Sequence, residues 1–211
     1  MNSKREPGAD QPPRLVLATA NQHKLAELIR ILASSQVAVL AIGLRDFPDA
    51  PDVPETGATF AENALLKAHA LAEFTGLPSV ADDSGICVDA LNGMPGVLSA
   101  RWSGAHGSDQ ANLDLLLAQL ADVPDGRRAA HFSCAAALVL PAGAEHVSQG
   151  AVHGRLIREA RGANGFGYDP IFVPDGAQLT TAEMTPEAKD KISHRGKALR
   201  GLAPIIAAVL C

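Results

Sequence analysis

Leu77-Pro78-Ser79-Val80-Ala81-Asp82-Asp83-Ser84-Gly85 decides how this chain is read. The run to Ala81 has the character of a buried strand, and the two carboxylates are expected to end it. Neighbouring carboxylates repel when both are ionised, so a pair at the end of a buried strand needs a cation or a hydrogen-bonded partner. Two readings are open at this point. An Asx-turn closing the strand is one, since Asp and Gly are ordinary terminators; a metal-bearing catalytic edge is the other.

Working outward, Thr59-Phe60-Ala61-Glu62 is a capping-box pattern that opens a helix running to about Phe74, with Gly76 as its stop. Farther back, Leu15 to Ala18 reads as a buried strand, Leu25, Leu28, Ile29 and Leu32 as a helical stripe, and Val37 to Ile42 as a second strand. On the other side, Ile86 to Leu91 reads as a strand entering a turn at Asn92-Gly93. Ser108 is placed to cap a helix carrying Leu113, Leu116, Leu117 and Leu120, which Pro124 ends. Ala129 to Leu140 and Glu145 to Ile157 flank Pro141-Ala142-Gly143-Ala144 and predict a long antiparallel hairpin. A last helix from about Ser193 shows Leu199, Leu202, Ile205, Ile206 and Val209 on one face. Helices alternate with strands early and a hairpin intrudes late, so the expected fold is α/β with a mixed sheet. Met1 to Pro13, with three prolines and no periodicity, is expected to be a disordered leader; residues 14–211 are expected to form a single domain.

The 211 residues are 47% hydrophobic, a balance typical of a globular domain. The longest apolar stretches, Cys134 to Leu140 and Leu202 to Leu210, are too short to span a bilayer, and the N-terminus lacks a signal-peptide core, so no membrane association and a cytoplasmic location are expected. Cys87, Cys134 and Cys211 form no CxxC pair, which argues against a disulfide framework or structural zinc. A net charge of -5 excludes general attraction to nucleic acid but leaves room for a small anionic ligand held by local cations.

Such cations exist. Thr19-Ala20-Asn21-Gln22-His23-Lys24 joins the first strand to the first helix, where backbone N–H groups and the helix dipole favour a phosphate; an Asn N-cap with a solvated lysine is the alternative. Glu62 already has a role in its capping box, whereas Glu55 in Pro54-Glu55-Thr56-Gly57 has no local task and is the preferred partner of the Asp pair at a metal. Magnesium takes only one or two protein carboxylates beside phosphate oxygens and water, so a sparse acidic set suits it. Gly162-Ala163-Asn164-Gly165-Phe166-Gly167-Tyr168-Asp169-Pro170 puts two rings and a carboxylate on a glycine loop in a chain only 4% aromatic; either ring could stack on a planar base, and core packing is the alternative. Lys189 and Ser193-His194-Arg195 add donors at the start of the last helix, or a Ser N-cap with exposed basic neighbours. Together these are the parts of a nucleotide-processing site.

Thr19 to Lys24, Glu55-Thr56-Gly57, Ala81 to Gly85, Pro95-Gly96 with Ser99-Ala100-Arg101, Phe166 to Pro170 and Ser193-His194-Arg195 stand in an order that resembles the inosine/xanthosine triphosphate pyrophosphatases, over nearly everything after Arg14. The resemblance implies an elongated central sheet with flanking helices, two lobes with a cleft between them, a homodimer and a magnesium requirement. It implies that Thr19, Ala20, Asn21, Gln22, His23 and Lys24 grip a triphosphate, that Asp83 is catalytic acid/base and metal ligand, and that Glu55 completes the metal site. Ser84 would contact substrate, Phe166, Gly167, Tyr168 and Asp169 would form the base pocket, and Lys189, His194 and Arg195 would bind the nucleotide. The implied reaction releases pyrophosphate from ITP, dITP or XTP. The rivals are a Maf-like pyrophosphatase for other bases and a nucleotide-binding module without catalysis.

Overall fold

The structure, a computed structural model, describes residues 12–19 and 22–211. The expected leader up to residue 11 lies outside them, as do Ala20 and Asn21. Six strands form one sheet in the order β2-β1-β3-β4-β5-β6. They are β1 (Arg14–Leu17), β2 (Leu40–Gly43), β3 (Ser79–Val88), β4 (Ala129–Val139), β5 (Glu145–Leu156) and β6 (Phe172–Pro174). β1 pairs in parallel with β2 and β3, while β3, β4, β5 and β6 pair antiparallel in succession. The sheet is mixed, as expected. Flanking it are α1 (Gln22–Ser34), α2 (Phe60–Thr75), α3 (Asp109–Gln119), α4 (Pro186–Ile192) and α5 (His194–Leu210). No helix among the described residues is long and apolar enough to cross a membrane.

Strand β3 corrects the reading of the Asp pair. It does not stop at Ala81 but runs on through Asp82, Asp83, Ser84 and Gly85 to Val88, paired along its whole length with β4. Asp and Gly are poor strand residues, and here tertiary context overrides propensity: the ladder is continuous and both carboxylates meet cations from flanking helices. The separate strand expected from Ile86 is the end of β3, and residues 89–91 form a single 3-10 turn.

Because successive strand side chains point to opposite faces, β3 sorts its residues into two sets. Val80 joins a core built with α1 and α5, around Leu28, Ile31, Leu199, Leu202 and Ile206. Ile86 and Val88 join a second core with Leu113, Leu116, Phe132 and Phe172. Asp82 and Ser84 lie between Val80 and Ile86 on the same face, so a polar interval separates the two cores. Asp82 and Ser84 of this interval each line a cavity. On the opposite face, Ala81, Ala135 and Ala137 pack against Ala64, Ala68 and Ala72 of α2, small residues that let the helix approach the sheet closely.

The helix patterns are right in position and partly wrong in facing. α1 buries Leu28, Ile31 and Leu32 while Ile29 is exposed, because the helix also meets α5; Val209 on α5 is likewise exposed. The capping box of α2 is formed, with Thr59 Oγ1 accepting from Glu62 N at 3.1 Å and Glu62 Oε2 accepting from Thr59 N at 3.1 Å, a cap worth about 1 kcal/mol. Ser108 stands at the N-cap of α3 without a side-chain capping bond, and α3 ends at Gln119, before Pro124. The short β6 and α4 carried too little periodicity to be read.

Candidate active site

The two faces of β3 give its two carboxylates different surroundings. Asp82 is buried and its Oδ2 accepts from Lys24 Nζ of α1 at 2.9 Å and from Arg195 Nε of α5 at 3.0 Å. Burial opposes ionisation, but Lys24 and Arg195 outweigh it and hold the carboxyl far below the usual carboxylate range. Arg195 is itself buried and fixed by three side chains: it bonds Asp82, donates from Nη2 to Ser84 Oγ at 3.2 Å, and lies 3.6 Å from Glu27 of α1. Burial works against its charge, yet Asp82, Glu27 and the neighbouring groups raise its pKa.

Asp83 faces α2. Its Oδ2 accepts from Asn63 Nδ2 at 3.1 Å, and its Oδ1 lies 3.4 Å from Lys67 Nζ, which also donates to Glu55 Oε1 at 3.0 Å. Asn63 and Lys67 are four residues apart, so both reach the same side of α2. Arg101 holds the Glu55 loop, bonding its Oε2 at 3.1 Å and its backbone oxygen at 3.2 Å. Burial pushes Asp83 above the ordinary aspartate value, and the Glu55 charge adds to this against the pull of Lys67 and Asn63. Glu55 moves the other way: burial is outweighed by Lys67 and Arg101. Lys67 is raised, since Asp83 and Glu55 overcome its burial. One carboxylate of the pair is thus held as an anion, while the other binds a proton more readily than an ordinary aspartate.

Two cavities flank these groups. One, 630 Å³, is lined by Thr19, Lys24, Glu55, Lys67, Asp82 and Arg101, with Leu44, Val53 and Leu71 supplying apolar wall. The second, 390 Å³, is lined by Ser84, Phe166, Lys189, His194 and Arg195, with Ile86 and Phe132 supplying apolar wall. Lys24 lines both. Phe166 is half exposed, with Lys189 Nζ 5.6 Å and Arg195 Cζ 6.0 Å from its ring centre. Tyr168, the other candidate shelf, packs in the second core and donates its hydroxyl to Ser99 O at 2.8 Å. Asp169 is buried and occupied within the loop: it accepts from Phe166 N at 2.9 Å, from Thr181 Oγ1 at 2.8 Å and from Lys189. Gly165, at φ 78°, leaves no space for a Cβ, which would sit 2.1 Å from Asp169 Oδ2. His194 stacks on Phe132 at 4.9 Å between ring centres; burial, with Arg195 and Lys189 nearby, lowers its pKa and keeps the imidazole neutral.

The structure therefore brings together Thr19, Lys24, Glu55, Ser84, Phe166, Lys189, His194 and Arg195 around two adjoining cavities, with Asp83 linked to the first through Lys67. Ala20 and Asn21 lie outside the described residues, while Gln22 and His23 begin α1. Gly167 and Tyr168 shape the second cavity. Asn63, Lys67, Arg101 and Glu27 were not singled out as site residues. The four-residue spacing of Asn63 and Lys67 beside a capping box was the available signal; nothing local marks Glu27. Among the described residues no group of three or more His, Cys, Asp or Glu could hold a metal. Two hard-oxygen carboxylates, Glu55 and Asp83, do converge on one ammonium, and that sparse pair fits a hard divalent cation that draws its other ligands from phosphate and water.

The Ham1 family model matches residues 15–205. A Streptomyces coelicolor protein named dITP/XTP pyrophosphatase is 60% identical over 197 residues, covering 93% of this chain and 98% of its own length. The crystal structure of a nucleoside-triphosphatase, also named dITP/XTP pyrophosphatase, from Mycobacterium abscessus is 57% identical with a TM-score of 0.76, covering 92% of this chain and 99% of that one. A HAM1 protein from Coxiella burnetii superposes with a TM-score of 0.85 at 41% identity, covering 93% and 100%. Motif order, fold and relatives agree: the chain belongs to the Ham1 family, and its resemblance to the inosine/xanthosine triphosphate pyrophosphatases is borne out.

Proposed function

We propose that this nucleoside triphosphate pyrophosphatase hydrolyses the triphosphates of deaminated purines, dITP, ITP and XTP, to the monophosphate and pyrophosphate. The observation that carries the reading is the shared wall at Lys24, which joins a cavity lined by Thr19, Lys67, Arg101 and Glu55 to one lined by Phe166, Lys189, His194 and Arg195. The names of the Streptomyces and Mycobacterium relatives support the same substrates.

In this mechanism the triphosphate lies along the segment from Thr19 to Lys24. Asp83, whose carboxyl burial holds above the ordinary aspartate value, takes a proton from water as its oxygen attacks the α-phosphorus. The bond from that phosphorus to the bridging oxygen breaks, and pyrophosphate leaves beside Lys24. Glu55 and Asp83 would hold magnesium, which when bound neutralises charge on the phosphate oxygens. Lys67 keeps those two carboxylates close before substrate arrives. Phe166 stacks on the base, and donors from His194 and Arg195 meet the six-position oxygen of hypoxanthine or xanthine; the amino group of adenine would leave them unsatisfied. Lys189 and Asp169 brace the Phe166 loop, and Ser84 contacts the nucleotide. The proposal includes a homodimer, which sedimentation would check, and a cytoplasmic location, which suits three free cysteines.

Purified protein with magnesium and ITP, XTP, GTP, ATP or dUTP, assayed for pyrophosphate against orthophosphate, tests the reading. Pyrophosphate from ITP and XTP is expected. Release of orthophosphate would overturn attack at the α-phosphorus, and preference for dUTP or ATP would overturn the base assignment.

A further inference from the structure

The loop that carries Phe166 is held from two directions. Gly165 and Gly167 flank the ring with φ of 78° and 61°, conformations that glycine enters readily and that leave the loop little stiffness of its own. The two amides at the ring are instead gripped by carboxylates. Asp169, within the loop, takes Phe166 N at 2.9 Å; Asp109, from the first turn of α3, takes Gly167 N at 3.0 Å. The Asp169 carboxylate is buried and also bound to Thr181 and Lys189, so it belongs to the loop's own fold. Asp109 is different. It is exposed, it lines the second cavity, its Oδ2 accepts from Gly167 N, and it comes from a helix anchored in the second core by Leu113 and Leu116.

We propose that Asp109 is a positioning residue for the purine: by holding the Gly167 amide it fixes the Phe166 ring at the height and tilt at which the base stacks. The inference rests on the substrate reading above, since a stacked base is what the ring is positioned for. Asp109 touches neither phosphate cations nor Asp83, so its loss weakens substrate binding rather than the chemical step.

The test compares wild type, Asp109→Asn and Asp109→Ala by KM and kcat for ITP and by hydrogen exchange of the Gly167 amide. Removing a charged acceptor corresponds to about a tenfold rise in KM in Asp109→Ala, with kcat within about twofold and faster Gly167 exchange. Asp109→Asn keeps an acceptor oxygen and is expected to restore most of both. An unchanged KM in Asp109→Ala, a fall confined to kcat, or Gly167 exchange as in wild type each overturns the proposal. Wild-type protein that turns over neither ITP nor XTP would contradict the functional reading instead, and the exchange comparison would still decide whether Asp109 holds the loop.

Discussion

Asp82 and Asp83 are adjacent in sequence, yet they occupy opposite faces of β3 and differ in every respect that matters for chemistry. Asp82 meets two cations within 3.0 Å and is held as an anion. Asp83 shares one more distant ammonium with Glu55, accepts an amide from Asn63, and is pushed upward by burial. The comparison teaches that a carboxylate pair in a continuous strand is not a dyad. The pleat gives each member its own helix and its own electrostatics, so one ties α1 and α5 to the sheet while its neighbour binds a proton more readily.

The largest break in this contrast should come from Arg195→Ala, which leaves Asp82 and Glu27 buried without their shared guanidinium. Losing one partner of a buried pair costs about 3 to 5 kcal/mol, read as a lower urea midpoint at unchanged slope. Lys67→Met acts on the other face. It should lower pyrophosphate release by about a hundredfold with a smaller effect on stability, as expected for removing one preorganised donor. It should also shift the acid limb of the pH–rate profile to higher pH, because the Lys67 charge is the main influence holding Asp83 down. Phe166→Ala, at the exposed ring, should cost about 1 to 3 kcal/mol of base binding, seen as a raised KM for ITP.

The smallest effect concerns acid stability. Asp82 and Glu55 have folded pKa values below their unfolded ones, so the stability they contribute is present above about pH 4 and is lost as pH falls through the lowered values. Asp83 has the opposite sign, since its folded form binds the proton more readily. Urea midpoints from pH 5 downward should therefore decline less steeply in Asp82→Asn than in wild type, and no less steeply in Asp83→Asn.

The elements with long, regular patterns were legible in the sequence: the β4–β5 hairpin, the capping box of α2 and the N-cap of α5 by Ser193, whose Oγ accepts from Gly196 N at 2.9 Å. The course of β3 was not. Turn propensities of Asp and Gly pointed to an end at Ala81, and only the cations from three helices explain why the strand continues. Candidate residues within compact motifs, such as Lys24 and Arg195, which line the cavities, were legible for the same reason that the hairpin was. Arg101 and Glu27 gain their meaning from partners tens of residues away, and Lys67 offered only its four-residue spacing from Asn63 as a local signal.

The division of labour between the two aspartates is tested most directly by purifying Asp82→Asn and Asp83→Asn side by side and measuring, for each, the urea midpoint and pyrophosphate release from ITP. The account predicts a crossed result: Asp83→Asn keeps or exceeds wild-type stability and loses about 100- to 10,000-fold in turnover, while Asp82→Asn loses stability by several kcal/mol. An Asp83→Asn protein that turns over ITP at the wild-type rate, or an Asp82→Asn protein as stable as wild type, would contradict it.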